Sequence, residues 1–201
     1  MDTETWFTFF ALLTVAAQLG TLALVALAAS GRTSASGAAT WQRVRESLGE
    51  SGLAIAAIVA TTAMLGSLYL SEGADLVPCK LCWYQRIAMY SVAILLVVAA
   101  VRRDWSIRPY AVTLCGIGAV VATYHYLLER FPEWESSATC EVFNPCNQTL
   151  VWRFHYVSIP MMALSGFVLA AAVLVCSAPP EVSERSRRRD HGRAIPAEEA
   201  T

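Results

Sequence analysis

This sequence is short of charge. Of its 201 residues only 15% are Asp, Glu, Lys or Arg, against 56% that are apolar, and the formal net charge is −1. A soluble domain carries about 25% charged residues. The shortage excludes a disordered chain and a nucleic-acid binder built on a basic surface, and it is foreign to most soluble enzymes. Lysine is nearly missing, with Lys80 alone against fourteen arginines. Six cysteines are too few for a disulfide-dense scaffold, so their positions matter more than their number. There is no Rossmann glycine fingerprint and no bis-histidine pattern for haem. No internal repeat is evident.

What is present is a set of long apolar runs. Five intervals are free of charged residues: Thr5–Gly31, Ser51–Ser71, Ile87–Val101, Pro109–Leu128 and Phe154–Pro180. A helix needs roughly 20 residues to cross the hydrocarbon core of a bilayer. The third interval is shorter than that, and reaches the required length if its helix starts near Leu81 and tolerates Gln85 and Arg86 near one end. Trp6, Trp83, Tyr84, Trp105, Tyr110 and Tyr156 fall at span ends, where interfacial aromatics belong. The expectation is an all-α integral membrane protein with five spans.

The arginines orient it. With the amino terminus outside, the inner segments hold Arg32, Arg43, Arg45, Arg102, Arg103, Arg108, Arg185, Arg187, Arg188, Arg189 and Arg193. The outer segments hold Lys80, Arg86, Arg130 and Arg153. Eleven against four satisfies the positive-inside rule, and the reverse topology inverts the ratio. A signal peptide ending at Ala26-Leu27-Ala28 is the competing reading of the first run. Its flank (Asp2, Glu4) is acidic where a signal needs basic residues, and the run is too long. The tail 179–201 reads as a basic, disordered cytoplasmic anchor of topology.

Orientation sorts the cysteines. Cys79 and Cys82 form Pro78-Cys79-Lys80-Leu81-Cys82 at the outer start of the third span. Cys140 and Cys146 lie in the longest outer loop, Glu129–Tyr156. Cys115 and Cys176 lie within spans and read as small apolar packing residues. A Cys-x-x-Cys at a helix start has a thiolate-stabilising environment, because unpaired N–H groups and the helix dipole favour negative charge there. Arg86, one turn beyond Cys82, adds a positive charge on the same face. An arginine so near lipid is by default a functional site, with a snorkelling side chain beside a structural disulfide as the plainer reading. For Cys140 and Cys146 the plainer readings are a loop staple or a four-cysteine zinc site; the loop is short for the first, and the five-residue gap is long for the second. His125 lies about 25 Å beyond Arg108 along the fourth span, at the depth of Cys82 and Arg86. It suits either a packing role or a place beside a polar cofactor head group. His155 and His191 receive no role.

Two dithiol pairs on one face suggest a relay. Electrons pass by thiol–disulfide exchange from a soluble partner to the loop pair and then to the lipid-proximal pair. From there a membrane-dissolved quinone is the economical acceptor.

The stretch Pro-Cys-Lys-Leu-Cys-Trp-Tyr-Gln-Arg-Ile (78–87) resembles the signature of the disulfide bond formation protein B (DsbB) family, in particular the BdbC-like branch of many Gram-positive bacteria. Tyr124-His125-Tyr126-Leu127-Leu128, Asn144-Pro145-Cys146 and Val157-Ser158-Ile159-Pro160 are similar to later landmarks of that branch. The resemblance covers roughly residues 50–176. It implies a four-helix transmembrane bundle that reoxidises an extracytoplasmic DsbA-like thioredoxin-fold oxidase and passes electrons to ubiquinone or menaquinone in a bacterial cell membrane. By position, Cys140 would form the mixed disulfide with the partner, and Cys146 would be its loop mate. Cys79 and Cys82 would form the quinone-linked pair, with Cys82 nearest the ring. Arg86 would stabilise the Cys82 thiolate and polarise a quinone oxygen, and His125 would line the same pocket. No metal and no nucleic acid enter this scheme.

The resulting division is residues 1–50 as an extra amino-terminal transmembrane helix and cytoplasmic loop, 51–178 as the redox bundle, and 179–201 as the tail. Two departures from the family pattern stand out: the added first span with its outside amino terminus, and a loop pair more closely spaced than in the Gram-negative branch. A vitamin K epoxide reductase-like quinone reductase would use the same chemistry, but there the loop pair precedes the Cys-x-x-Cys helix. A non-enzymatic membrane scaffold with structural disulfides leaves Arg86 and the helix-start motif unexplained.

Overall fold

The structure, a computed structural model, describes residues 3–134, 140 and 144–177. Five helices follow one another in antiparallel order: α1 (Thr3–Thr33), α2 (Ala35–Glu72), α3 (Lys80–Arg102), α4 (Arg108–Arg130) and α5 (Ile159–Cys176). Each contains a stretch long and apolar enough to cross a membrane. Short 3-10 turns lie at Trp105–Ile107 and Pro132–Trp134. Pro109 and Pro160 stand in the first turns of α4 and α5, where the missing N–H costs no intrahelical bond.

Helices α2, α3, α4 and α5 form a closed ring, and α1 packs outside it against α2 and α5. The shared core is rich in small residues, among them Ala56, Ala60, Ala93, Ala122 and Ala170, with Leu96, Phe167 and Leu174 filling the centre. This composition suits a bundle in lipid. There the apolar surroundings give helices little hydrophobic reason to associate, and close backbone approach supplies the dispersion contacts. Gly118 of α4 is one such place, because a Cβ built there would lie 2.2 Å from the Phe167 ring of α5.

A second buried cluster sits at one end of the bundle and consists of Cys79, Leu81, Leu128, Cys140 and Cys146. The start of α3 and the end of α4 meet there, beside the loop before α5. The opposite end carries Arg32, Arg43, Arg45, Arg102, Arg103 and Arg108.

One local expectation changes. The segment expected as a cytoplasmic loop before Ser51 is helical from Ala35 onward, so only Ser34 separates α1 from α2. Its Ala, Gln, Arg and Glu residues favour helix, and the Ser34 side chain caps the new helix by accepting from the Gly37 N–H. Helix α3 begins at Lys80, with Cys79 as its cap, in keeping with the expected start near Leu81 and with Gln85 and Arg86 inside the helix. The tail expected to be disordered lies outside the described residues.

Candidate redox site

Cys79 occupies the N-cap of α3, a position usually held by Ser, Thr, Asp or Asn. Its sulfur takes over their task and accepts the Cys82 backbone N–H at 3.4 Å. The same geometry brings the two sulfurs of Cys79-Lys80-Leu81-Cys82 to 3.2 Å, both as free thiols. The Cys79 thiol is held well below its ordinary pKa. The Cys82 S–H donating to its sulfur is the main cause, burial opposes it, and a hydrogen bond with His125 and the Cys82 N–H add to the lowering.

The second pair is a disulfide. Cys140 and Cys146 are bonded, with 5.8 Å between their Cα atoms, and both are buried against Cys79. Two contacts fasten this loop to the helix-start motif. Asn144 Nδ2 donates to the Pro78 carbonyl at 3.2 Å, and His125 Nε2 lies 3.1 Å from the Cys146 carbonyl. The sequence places the two pairs on one side of the membrane; packing makes them one cluster.

His125 is buried at 3% exposure, and both its ring nitrogens are engaged. A carbonyl only accepts, so Nε2 must carry the proton it shares with Cys146. Nδ1 then accepts from Gln85 Nε2 at 2.8 Å, which makes the ring the neutral Nε2–H tautomer. The same Nε2 lies 3.7 Å from Cys79 Sγ. His125 therefore braces Cys79 from behind.

Arg86 points elsewhere. Its Nε donates to Ser67 Oγ at 2.9 Å, and Nη2 donates to the Ser67 carbonyl and to Ser71 Oγ at 2.6 and 2.7 Å. The guanidinium also lies 5.3 Å over the Trp83 ring. Among the described residues no carboxylate pairs with it, so its charge is positioned by neutral groups and left unneutralised.

That charge faces a chamber of about 430 Å³ between α1, α2, α3 and α5. Its polar end is formed by Ser67, Ser71, Gln85 and Arg86, while Met89, Met162, Ala163 and Phe167 belong to its apolar walls. Of the four cysteines at this end, only Cys82 lines it. His125 does not, contrary to the expectation that it shares a pocket with Arg86. The depth estimate was sound, but His125 faces the α3–α4 side of the motif, and the chamber opens on the other. The volume suits a small organic ligand, and one cation with a few hydroxyls at the end of an apolar slot suits a flat ring carrying a polar oxygen.

The sulfurs of Cys79 and Cys82 and a ring nitrogen of His125 lie within 4.8 Å of one another, close enough to share a metal ion. Binding one would break the bond of His125 either to Gln85 or to Cys146. Cys115 is fully buried in the central core, as expected of a packing residue, and Cys176 is partly buried at the far end of α5.

The pattern describing the family "Disulfide bond formation protein DsbB" matches residues 50–177 of this chain. The chain belongs to the DsbB family. It is thus a membrane disulfide oxidoreductase. Among curated DsbB-family relatives, "Disulfide bond formation protein C" of Bacillus subtilis (strain 168) is 37% identical over 127 residues, covering 63% of this chain and 91% of that protein. The "Probable disulfide formation protein" of Oceanobacillus iheyensis is 41% identical over 113 residues, 56% of this chain and 78% of its own. "Probable disulfide formation protein C 1" of Bacillus anthracis is 39% identical over 115 residues, 57% and 81% respectively. No solved structure matches the chain. Helix α1 lies outside the DsbB match, yet it walls the chamber through residues such as Leu13 and Ala17.

Sequence reasoning missed several residues of this DsbB site. Gln85 reads in the sequence as a tolerated polar residue within a span, although an amide between Cys82 and Arg86 in a membrane helix is itself a signal of function. Ser67 and Ser71 stand four residues apart at the end of the second span, the spacing of one helix face. Asn144 stands in the sequence only as part of a stretch similar to a family landmark, with nothing there to mark its bond to Pro78.

Proposed function

We propose that this DsbB-family protein is a thiol:quinone oxidoreductase, which reoxidises an extracytoplasmic DsbA-like thioredoxin-fold oxidase and delivers the electrons to a membrane quinone. The observation that carries this reading is the division of the cysteine cluster. Cys82 alone borders an apolar chamber with an unneutralised arginine, while the Cys140–Cys146 disulfide packs on the other side of the same motif.

The exchange runs in two stages. A dithiol of the partner reduces Cys140–Cys146 through a mixed disulfide on Cys140, and becomes a disulfide itself. The two electrons then pass to the Cys79–Cys82 pair by a second exchange, which reforms Cys140–Cys146. When the Cys79–Cys82 pair is oxidised in turn, the Cys79 thiolate closes the bond on Cys82. Two electrons leave through the chamber, with one proton from the Cys82 thiol and one from solvent. A quinone bound there would supply the electron sink for both electrons and both protons. Arg86 would hold such an acceptor by a polar oxygen and favour negative charge at that end of the chamber. His125 and Gln85 keep Cys79 at the helix start, and Asn144 keeps the loop pair docked. This scheme uses residues 51–178 as the redox unit and places the cysteine end outside the cell membrane, with the arginine-rich end inside.

The test is quinone reduction by the purified protein with a reduced thioredoxin-fold donor. Cys79→Ser and Cys82→Ser should each abolish turnover. Arg86→Ala should raise the apparent quinone KM by about tenfold or more, the cost of one charge-assisted hydrogen bond. Undiminished turnover in both cysteine variants would sink the relay.

A further inference from the structure

We infer that α1, the helix outside the DsbB-family match, is the wall of the quinone chamber that faces the hydrophobic tail of the acceptor, and so determines which quinones enter. The inference rests on the chamber being the quinone site, and adds to that reading a specificity-determining element of this chain's own.

The ring α2–α5 leaves a lateral groove beside α3, between α2 and α5. Phe10, Leu13, Thr14, Ala16 and Ala17 of α1 lie across it. Phe10 packs on Gly66 of α2, where an added Cβ would lie 3.1 Å from the ring, and Trp6 lies tilted against Tyr69 with 4.9 Å between ring centroids. On the α5 side, Gln18 makes two polar contacts. Its Nε2 donates to Ser165 Oγ at 3.0 Å, and its Oε1 accepts from Tyr156 O–H at 2.8 Å. Glu4 adds an ion pair with Arg153 at the helix start. The helix is therefore docked in register, with contacts to α2 on one edge and to α5 and its preceding loop on the other.

The chamber is long as well as apolar. On α2 its lining runs from Ser71, beside Arg86, to Ile58, thirteen residues or about 20 Å away. That is too long for a ring alone and suits a ring at Arg86 with a hydrocarbon tail running down α1. Leu13 and Ile58 both line the chamber and are exposed on the outer surface of the bundle, which marks a mouth between α1 and α2 toward lipid. The residues α1 presents here are small at positions 14, 16 and 17, leaving width for a branched prenyl chain. Chain length and branching are thus read by α1, and the redox ring by α3.

The test uses the full-length protein in lipid nanodiscs and a quinone analogue with a photoreactive diazirine at the end of its tail. Irradiation and peptide mapping should find label on α1 between Phe10 and Gln18. Ala17→Phe should weaken binding of a long-tailed quinone by about tenfold or more, since it fills the slot beside the tail. Binding of a tail-less quinone should change far less. Leu22→Phe, on a lipid-facing site of the same helix, should change neither. Label confined to α2, α3 and α5, or equal behaviour of Ala17→Phe and Leu22→Phe, would overturn the role of α1 while leaving quinone reduction standing. Absence of both labelling and quinone reduction in the unmodified protein would overturn the proposed function along with it.

Discussion

At the scale of single residues, the site depends on a cysteine doing the work of a helix cap. Cys79 receives the Cys82 N–H, the Cys82 S–H and a contact from His125, all directed at one sulfur. Each favours the thiolate, so its charged fraction should rise at a lower pH than for an ordinary thiol, whose pKa is about 8.5. This can be measured by ultraviolet thiolate absorbance in Cys82→Ser, where the serine hydroxyl still donates to Cys79, with the Cys79→Ser/Cys82→Ser double variant as background. The sign is fixed by the direction of the shift. The titration midpoint should lie well below that of an ordinary thiol, and His125→Phe should move it upward. A midpoint at or above the ordinary value would show that the cap does not stabilise the thiolate.

Between helices, the decisive feature is close approach. Gly118 lets α4 lie against the Phe167 ring of α5, and α5 in turn presents Met162, Ala163 and Gly166 to the chamber. Gly118→Ala should therefore destabilise the bundle by about 1–3 kcal/mol, the usual range for overpacking, despite the better helix propensity of alanine. Gly116 stands on the same helix with nothing within 4 Å of an added Cβ. Gly116→Ala should be neutral or slightly stabilising. Thermal unfolding of the two variants in the same detergent provides the comparison, and equal effects would mean that the α4–α5 contact is looser than described.

For the molecule as a whole, function requires the cysteine end to lie on the oxidising side of the membrane. The ends differ in charge as well as in chemistry: Arg32, Arg43, Arg45, Arg102, Arg103 and Arg108 gather opposite the cysteines. Placing the arginine-rich end in the cytoplasm predicts the outcome of labelling with a membrane-impermeant maleimide on intact cells. Thr149→Cys, exposed beside the disulfide loop, should be modified from outside, and Ser106→Cys, exposed at the other end, only after the cells are opened. The opposite pattern would invert the topology and remove the partner oxidase from reach of Cys140 and Cys146.

Counting along the chain was enough for the five spans, the division of charge between two ends, the shared depth of Cys82, Arg86 and His125, and the loop pair's place at the same end. These properties add residue by residue: each helical position advances about 1.5 Å along the axis, and membrane insertion reads apolar length and charge locally. The DsbB resemblance was legible for the same reason, since its cysteine signature is a contiguous stretch. Direction around the helix axes was not legible. It decided that His125 braces Cys79 away from the chamber, that Ser67 and Ser71 cradle Arg86, that Asn144 ties the loop to Pro78, and that α1 closes the groove between α2 and α5. Those contacts join residues 15 to 147 positions apart. They are set by how side chains of several helices pack at once, which no single stretch of sequence specifies.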